Sequence, residues 1–157
     1  MLRVIAIDPG FDRLGVALME RGVGKETLLY SSCVVTDRES AFSDRLQYIG
    51  TEISALLSRY TPNAIALERL YFNTNQKTVM QVAEVRGVMV YLAGLHGCRV
   101  LEYTPQEVKV AVTGYGKSDK KQVMLMVQRL IEGVKKDALD DEYDAIAIAL
   151  TALASAR

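Results

Sequence analysis

Two short runs constrain this chain more than anything else in it. Val4-Ile5-Ala6-Ile7 and Ala64-Ile65-Ala66-Leu67 are unbroken by polar residues, and each is followed at once by a carboxylate, Asp8 and Glu68. A strand that is apolar on both faces belongs inside a sheet with a layer on either side. An acid placed directly after it is costly unless something pairs with it. If the two strands are parallel neighbours, both acids fall at the carboxyl edge of the sheet, where open α/β sheets bind ligands.

Around these runs the chain reads as one unit, 1–157, with no internal repeat, linker or low-complexity stretch. Its 157 residues suffice for one domain and are short for two. Residues 2–8, 14–19 and 26–35 read as three strands joined by short turns, an antiparallel meander. Ser40 to Tyr60 has helical spacing of Leu46, Ile49, Ile53, Leu56 and Leu57 and is stopped by Thr61-Pro62. The strand 64–68, a long helix 74–95 capped near Asn73 or Asn75, and a strand 99–102 follow. Pro105 can open a brief helix, Ser118 can cap one over 121–130, and a last helix starts near Asp140 and runs to the end. This order gives an α/β protein with a five-stranded mixed sheet flanked by helices, the order of the ribonuclease-H-like fold.

The last helix brings further acids. Asp141 and Asp144, three apart, share one face of its first turn. Asp8, Glu68, Asp141 and Asp144 repel one another if gathered, and therefore require a cation. The sole histidine, His96, ends a helix, and Cys33 and Cys98 have no metal-type spacing and are expected away from the acids. That argues against zinc and for a hard ion on oxygen ligands, Mg²⁺ or Mn²⁺. Two such ions suit in-line displacement at a phosphodiester. Each acid also has a purely structural reading: a helix dipole for the Asp141 pair, an exposed strand end for Glu68, a buried arginine as partner for Asp8.

Net charge is zero, which by itself argues against a nucleic-acid partner, but the average conceals a split. Residues 109–136 carry Lys109, Lys117, Lys120, Lys121, Arg129, Lys135 and Lys136 against Asp119 and Glu132, and residues 137–144 carry five acids and no base. This suits either a phosphate- and cation-binding site or two solvated helix faces. Tyr71 and Phe72 follow Glu68 closely, beside Asn73, Asn75 and Lys77; aromatics so placed can stack on splayed bases. The charge-free runs 87–95 and 145–156 are short of a bilayer span, and a strand beginning straight after Met1 leaves no room for a signal peptide. A cytoplasmic protein with reduced cysteines and no membrane partner is expected.

Taken in order, Ile7-Asp8-Pro9-Gly10 with Gly15, Ala66 through Asn75, Arg86-Gly87, Pro105, Val108-Lys109, Gly114 through Val123 and Asp140 through Ala149 resemble the RuvC family, the bacterial Holliday junction resolvases. The resemblance implies a homodimeric, structure-selective, Mg²⁺-dependent endonuclease of recombination and repair. Such an enzyme nicks a four-way DNA junction twice, symmetrically, leaving 5′-phosphates and 3′-hydroxyls, and works with RuvA and RuvB. It further implies metal ligation by Asp8, Glu68, Asp141 and Asp144, support of cleavage by Lys109 and Lys120, and base contact by Tyr71. Phe72, Asn73, Asn75, Lys77, Lys117 and Lys121 complete the expected DNA surface. Arg69, Glu142 and Tyr143 depart from the family pattern, which leaves the division of roles among Asp140, Asp141, Glu142 and Asp144 open. The stripe Val79, Val82, Ala83, Arg86, Gly87, Val90 and Tyr91 on the long helix fits either core packing or a two-fold interface. Three other readings stand beside this one: a nuclease of structured RNA, a junction binder without catalysis, and an actin-type nucleotide-binding domain, which would need a second lobe.

Overall fold

The computed structural model describes residues 1–70 and 76–156, and at 76 and 77 the backbone alone. Strand β1 (Leu2–Asp8) pairs antiparallel with β2 (Arg13–Arg21), which pairs antiparallel with β3 (Glu26–Val35). On its other edge β1 pairs parallel with β4 (Ala64–Glu68), and β4 pairs parallel with β5 (Arg99–Tyr103). The order is β3-β2-β1-β4-β5, so the two doubly apolar runs are adjacent and central, as their composition requires.

Strand parity sorts the core into two layers. Val4, Ala6, Ala17, Ala64 and Ala66 face α3 (Pro105–Thr113), α4 (Lys120–Leu130) and α5 (Asp140–Ser155). Ile5, Ile7, Leu18, Ile65 and Leu67 face α1 (Phe42–Tyr60) and α2 (Gln76–Leu95). The α5 face is built small: alanines of the sheet meet Ala145, Ala149 and Ala152, so the helix can lie close to the strands. At Gly15 the approach is closest, for a Cβ there would run into the Asp141 carbonyl oxygen. Alternation of 4, 6, 8 and of 64, 66, 68 then turns Asp8 and Glu68 to that same face.

The helix boundaries follow local chemistry. α3 opens with Pro105 and a reciprocal capping box between Thr104 and Glu107, and closes on Gly114 in the left-handed region. α4 is capped by Asp119, paired reciprocally with Gln122, and not by Ser118. Ser118 is buried and bonds Thr113 and the Tyr115 carbonyl instead, tying the turn between the two helices. The proposed caps of α2, Asn73 and Asn75, lie outside the described residues. α5 ends at Ser155, just short of the chain end. By length and composition Thr78–Leu95 is apolar enough to cross a membrane, although no charge-free run within it is long enough. Its Arg86 pairs with Glu102 of β5, and Val85, Met89, Leu92 and Ala93 are buried on α1 and the sheet.

Candidate active site

The edge where β1 and β4 end carries the candidate residues. The β1–β4 register sets Ile7 beside Leu67, so Asp8 and Glu68 emerge side by side. Asp8 also stands opposite Gly15, on which the first turn of α5 rests. That turn delivers Asp141 and Asp144. All four acids are only partly exposed. Burial, reinforced by the negative charges of Asp144, Glu68 and Asp141, lifts the Asp8 carboxyl to about 7. Burial and Asp144 likewise raise Glu68, against the lowering pull of Lys120 and Lys109, and burial raises Asp144.

Cations stand among these acids. Lys120 places Nζ 2.9 Å from Asp144 Oδ2 and 3.0 Å from Asp140 Oδ2. Burial alone would depress its ammonium, but the hydrogen bonds to Asp144 and Asp140 carry it above its ordinary range. The same bond holds Asp140 below the usual carboxylate range. Lys109 and Lys120 line one cavity with Glu68 and Asp144. Arg13 Nε lies 2.9 Å from Asp141 Oδ2, yet that buried oxygen has no aligned hydrogen-bond donor. The pair is therefore a charge contact rather than an aligned hydrogen bond.

Among the described residues no three Asp, Glu, His or Cys side chains form a preformed metal cage; Arg13 pairs with Asp141 and Lys120 with Asp144. The donor set nonetheless fits a hard divalent ion: carboxylate oxygens alone, one of them buried without an aligned donor, and Asp8 raised to about 7 by burial and then by the charges of Asp144, Glu68 and Asp141. Without metal, the folded protein keeps a proton on Asp8 up to about pH 7, while the unfolded chain releases it near 3.8. Stability should therefore fall between pH 4 and 7, by an amount on the order of a few kcal/mol. Millimolar Mg²⁺ should raise Tm strongly at pH 8 and little at pH 5. Thermal melts across pH with and without EDTA check this; a metal-free Tm that climbs from pH 5 to 8 would sink it.

The structural reading of Asp8 as partner of a buried arginine is not met. Among the described residues the buried arginine is Arg45, and it pairs with Asp12 and bonds the Phe11 carbonyl. Glu142 points away from the edge: it is buried, accepts 2.5 Å from Ser31 Oγ and lies 3.4 Å from Lys135 Nζ. Tyr143 is wholly buried, its hydroxyl bonded to the Lys135 carbonyl and Gln128. The open roles in 140–144 thus divide, with Asp141 and Asp144 at the edge, Asp140 beside Lys120 and Glu142 in the core. Cys33 corrects an expectation. It pairs with Gly15, close enough to Asp141 that this charge, after burial, raises its thiol. A protonated thiol is no ligand for a hard ion.

Lys117 and Lys121 are exposed near the start of α4. Tyr71, Phe72, Asn73 and Asn75, and the side chain of Lys77, lie outside the described residues. Arg13 and Arg38, which line a groove with Asp141 beside this edge, are not among the sequence candidates; two arginines flanking the Asp-Pro-Gly turn and the β3–α1 connection are the available signal.

The family model for crossover junction endodeoxyribonuclease RuvC matches residues 4–152. This chain belongs to the RuvC family. The RuvC of Syntrophomonas wolfei is 40% identical over 156 residues, 99% of this chain and 91% of the relative. That of Leifsonia xyli is 42% identical over 150 residues, 95% and 72% of the two chains. Among solved structures, Thermus thermophilus RuvC in complex with Holliday junction substrate superposes with a TM-score of 0.92 at 30% identity, over 100% of this chain and 96% of that one. The yeast mitochondrial resolvase Ydc2, at 15% identity and TM-score 0.70, shares the fold. The fold is therefore the ribonuclease-H-like one expected of the RuvC family, and the enzyme class is endodeoxyribonuclease.

Proposed function

We propose that this chain, as a single nuclease domain over 1–157, resolves four-way DNA junctions by two symmetric nicks that leave 5′-phosphates and 3′-hydroxyls. The observation that carries the reading is the gathering of Asp8, Glu68, Asp141 and Asp144 at one sheet edge with Lys109 and Lys120 beside them. These four acids would hold Mg²⁺ or Mn²⁺, two ions per site. When bound, such ions supply an activated water and stabilise the leaving oxygen of an in-line displacement. Asp8, between Glu68 on one side and the α5 acids on the other, is the residue best placed to serve both ions. Lys120, relieved of Asp140 and Asp144, turns with Lys109 to the phosphate oxygens, replacing carboxylate partners by a phosphate one. Tyr71 would stack on an unpaired base near the junction centre, with Phe72, Asn73, Asn75, Lys77, Lys117 and Lys121 along the DNA.

Two such sites are needed for paired nicks, and α2 supports a dimer. Met80 (66% exposed), Val90, Tyr91 (66%) and Leu95 (64%) leave the helix apolar on its outer side, with Ala83 and Gly87 permitting close approach. This exposure favours the interface over core packing for that side of the helix. RuvA and RuvB would be partners and the cytoplasm the compartment, as resemblance implies.

A synthetic four-way junction, the matched linear duplex and a structured RNA, each with millimolar Mg²⁺, test the reading, together with sedimentation of the protein. Paired nicks in the junction alone, made by a particle of two chains, are expected. RNA cleavage would favour the structured-RNA nuclease, and binding without nicking in either metal would reduce the protein to a junction binder.

A further inference from the structure

A polymer that lays one phosphate on the acidic edge must leave it in two directions. On the β4 side it meets Lys109 and Lys120. On the β2 side a second groove begins at Asp141 and runs past Gly10, Arg13 and Arg38 to Thr78 and Val82 on α2. Its floor is a clamped turn. Arg45, buried beneath Phe11, bonds the Phe11 carbonyl, the Asp12 carboxylate and Thr36, and Thr36 N donates to the Asp12 carbonyl. That turn is fixed by bonds within the protein itself.

The groove's two guanidinium groups are partly or largely exposed. Arg38 is 77% exposed and, among the described residues, forms its ion pair with Asp12, at 3.1 Å, a carboxylate that Arg45 also pairs with. Arg13 is 44% exposed and spans Asp141 and Asp140 at 2.9 and 3.2 Å. The exposed Arg38–Asp12 pair is worth about 0–1 kcal/mol, so Arg38 can exchange its partner for a stronger one. A cation on Asp141 would take over that carboxylate and leave Arg13 in surplus. The planar fork of arginine matches a phosphate through two parallel hydrogen bonds.

We propose that this groove is a second phosphate cradle, in which Arg13 and Arg38 grip the sugar-phosphate backbone of the cut strand on the side of the reacting phosphate opposite Lys109 and Lys120. This rests on the junction-nuclease reading and deepens it: the strand crosses the acids between two cationic walls.

The test measures anisotropy of a labelled four-way junction against KCl concentration, in Ca²⁺ and separately in EDTA, for wild type, R13Q, R38Q, the double variant and R38K. Each lost phosphate contact should reduce the slope of log K against log salt by about 0.7–0.9. Affinity should weaken several-fold at ~0.1 M salt, with R38K keeping the wild-type slope. The R13Q effect should be larger in Ca²⁺, where Asp141 is occupied, than in EDTA. R38Q alters an exposed side chain and should melt as wild type does, so it decides the matter even if R13Q unfolds. Unchanged slopes in R38Q and the double variant, with wild type binding and nicking normally, would overturn the cradle and leave the nuclease reading intact. A wild type that neither binds nor nicks the junction overturns the nuclease reading and the cradle with it.

Discussion

Asp8→Asn should reduce junction nicking by at least about a hundredfold, since even disturbing the outer partners of a metal costs ten- to a hundredfold and Asp8 is proposed as a ligand. Junction binding should persist. The same substitution should stabilise the metal-free protein at pH 8. Asp8 has its carboxyl pushed to about 7 by burial and by Asp144, Glu68 and Asp141, so at pH 8 it carries an unfavourable charge that asparagine removes. At pH 5 Asp8 is already protonated, and variant and wild type should melt together apart from packing differences. The pair of measurements separates two roles. A ligand gives lost nicking, kept binding and a gain in Tm confined to high pH. A structural aspartate would give a lower Tm at both pH values and lost binding. Mg²⁺ should lift the Tm of wild type at pH 8 more than that of the variant, because the variant lacks one of the oxygens that draw the ion in.

Gly15→Ala should be nearly as damaging to nicking, through an entirely different cause. The added methyl points into the Asp141 backbone carbonyl, which belongs to the first turn of α5. A flexible side chain could move aside, whereas here a helix must lift off the sheet. Overpacking of a core costs about 1–3 kcal/mol, and a backbone obstacle belongs at the upper end. For a chain of this size that is on the order of a 5–10 °C drop in Tm. The displaced turn carries Asp141 and Asp144, and a misplacement of about 1 Å costs a reacting centre roughly a hundredfold in rate. Nicking should therefore fall about a hundredfold under conditions where circular dichroism still reports a folded protein. A variant that melts like wild type and nicks at the wild-type rate would show that α5 does not depend on this contact.

Much of the site is legible in the amino-acid order. Parity is local: residues 4, 6 and 8, like 64, 66 and 68, alternate off a strand whatever surrounds it, so two apolar runs ending in acids turn both acids to one face once the strands are neighbours. The expectation of a hard ion follows from donor chemistry alone. Even the inward turn of Glu142 is latent in the helical period, because 142, 145, 146 and 149 share a face otherwise made of Ala and Ile. What periodicity cannot carry is the choice of partner across the chain. Ser31 receives Glu142 from 111 residues away, Arg45 takes Asp12 and leaves Asp8 free for other company, and Cys33 comes to rest near Asp141. Arg13 meets Asp140 and Asp141 in the same manner. Local pattern thus dictates the strand faces, the helix caps written into Thr104 and Glu107, and the identity of the acids. Which cations stand against which carboxylates is settled only in three dimensions, because that depends on how closely α5 lies on the sheet. That distance is set by glycine and alanine side chains too small to reveal it in any local pattern.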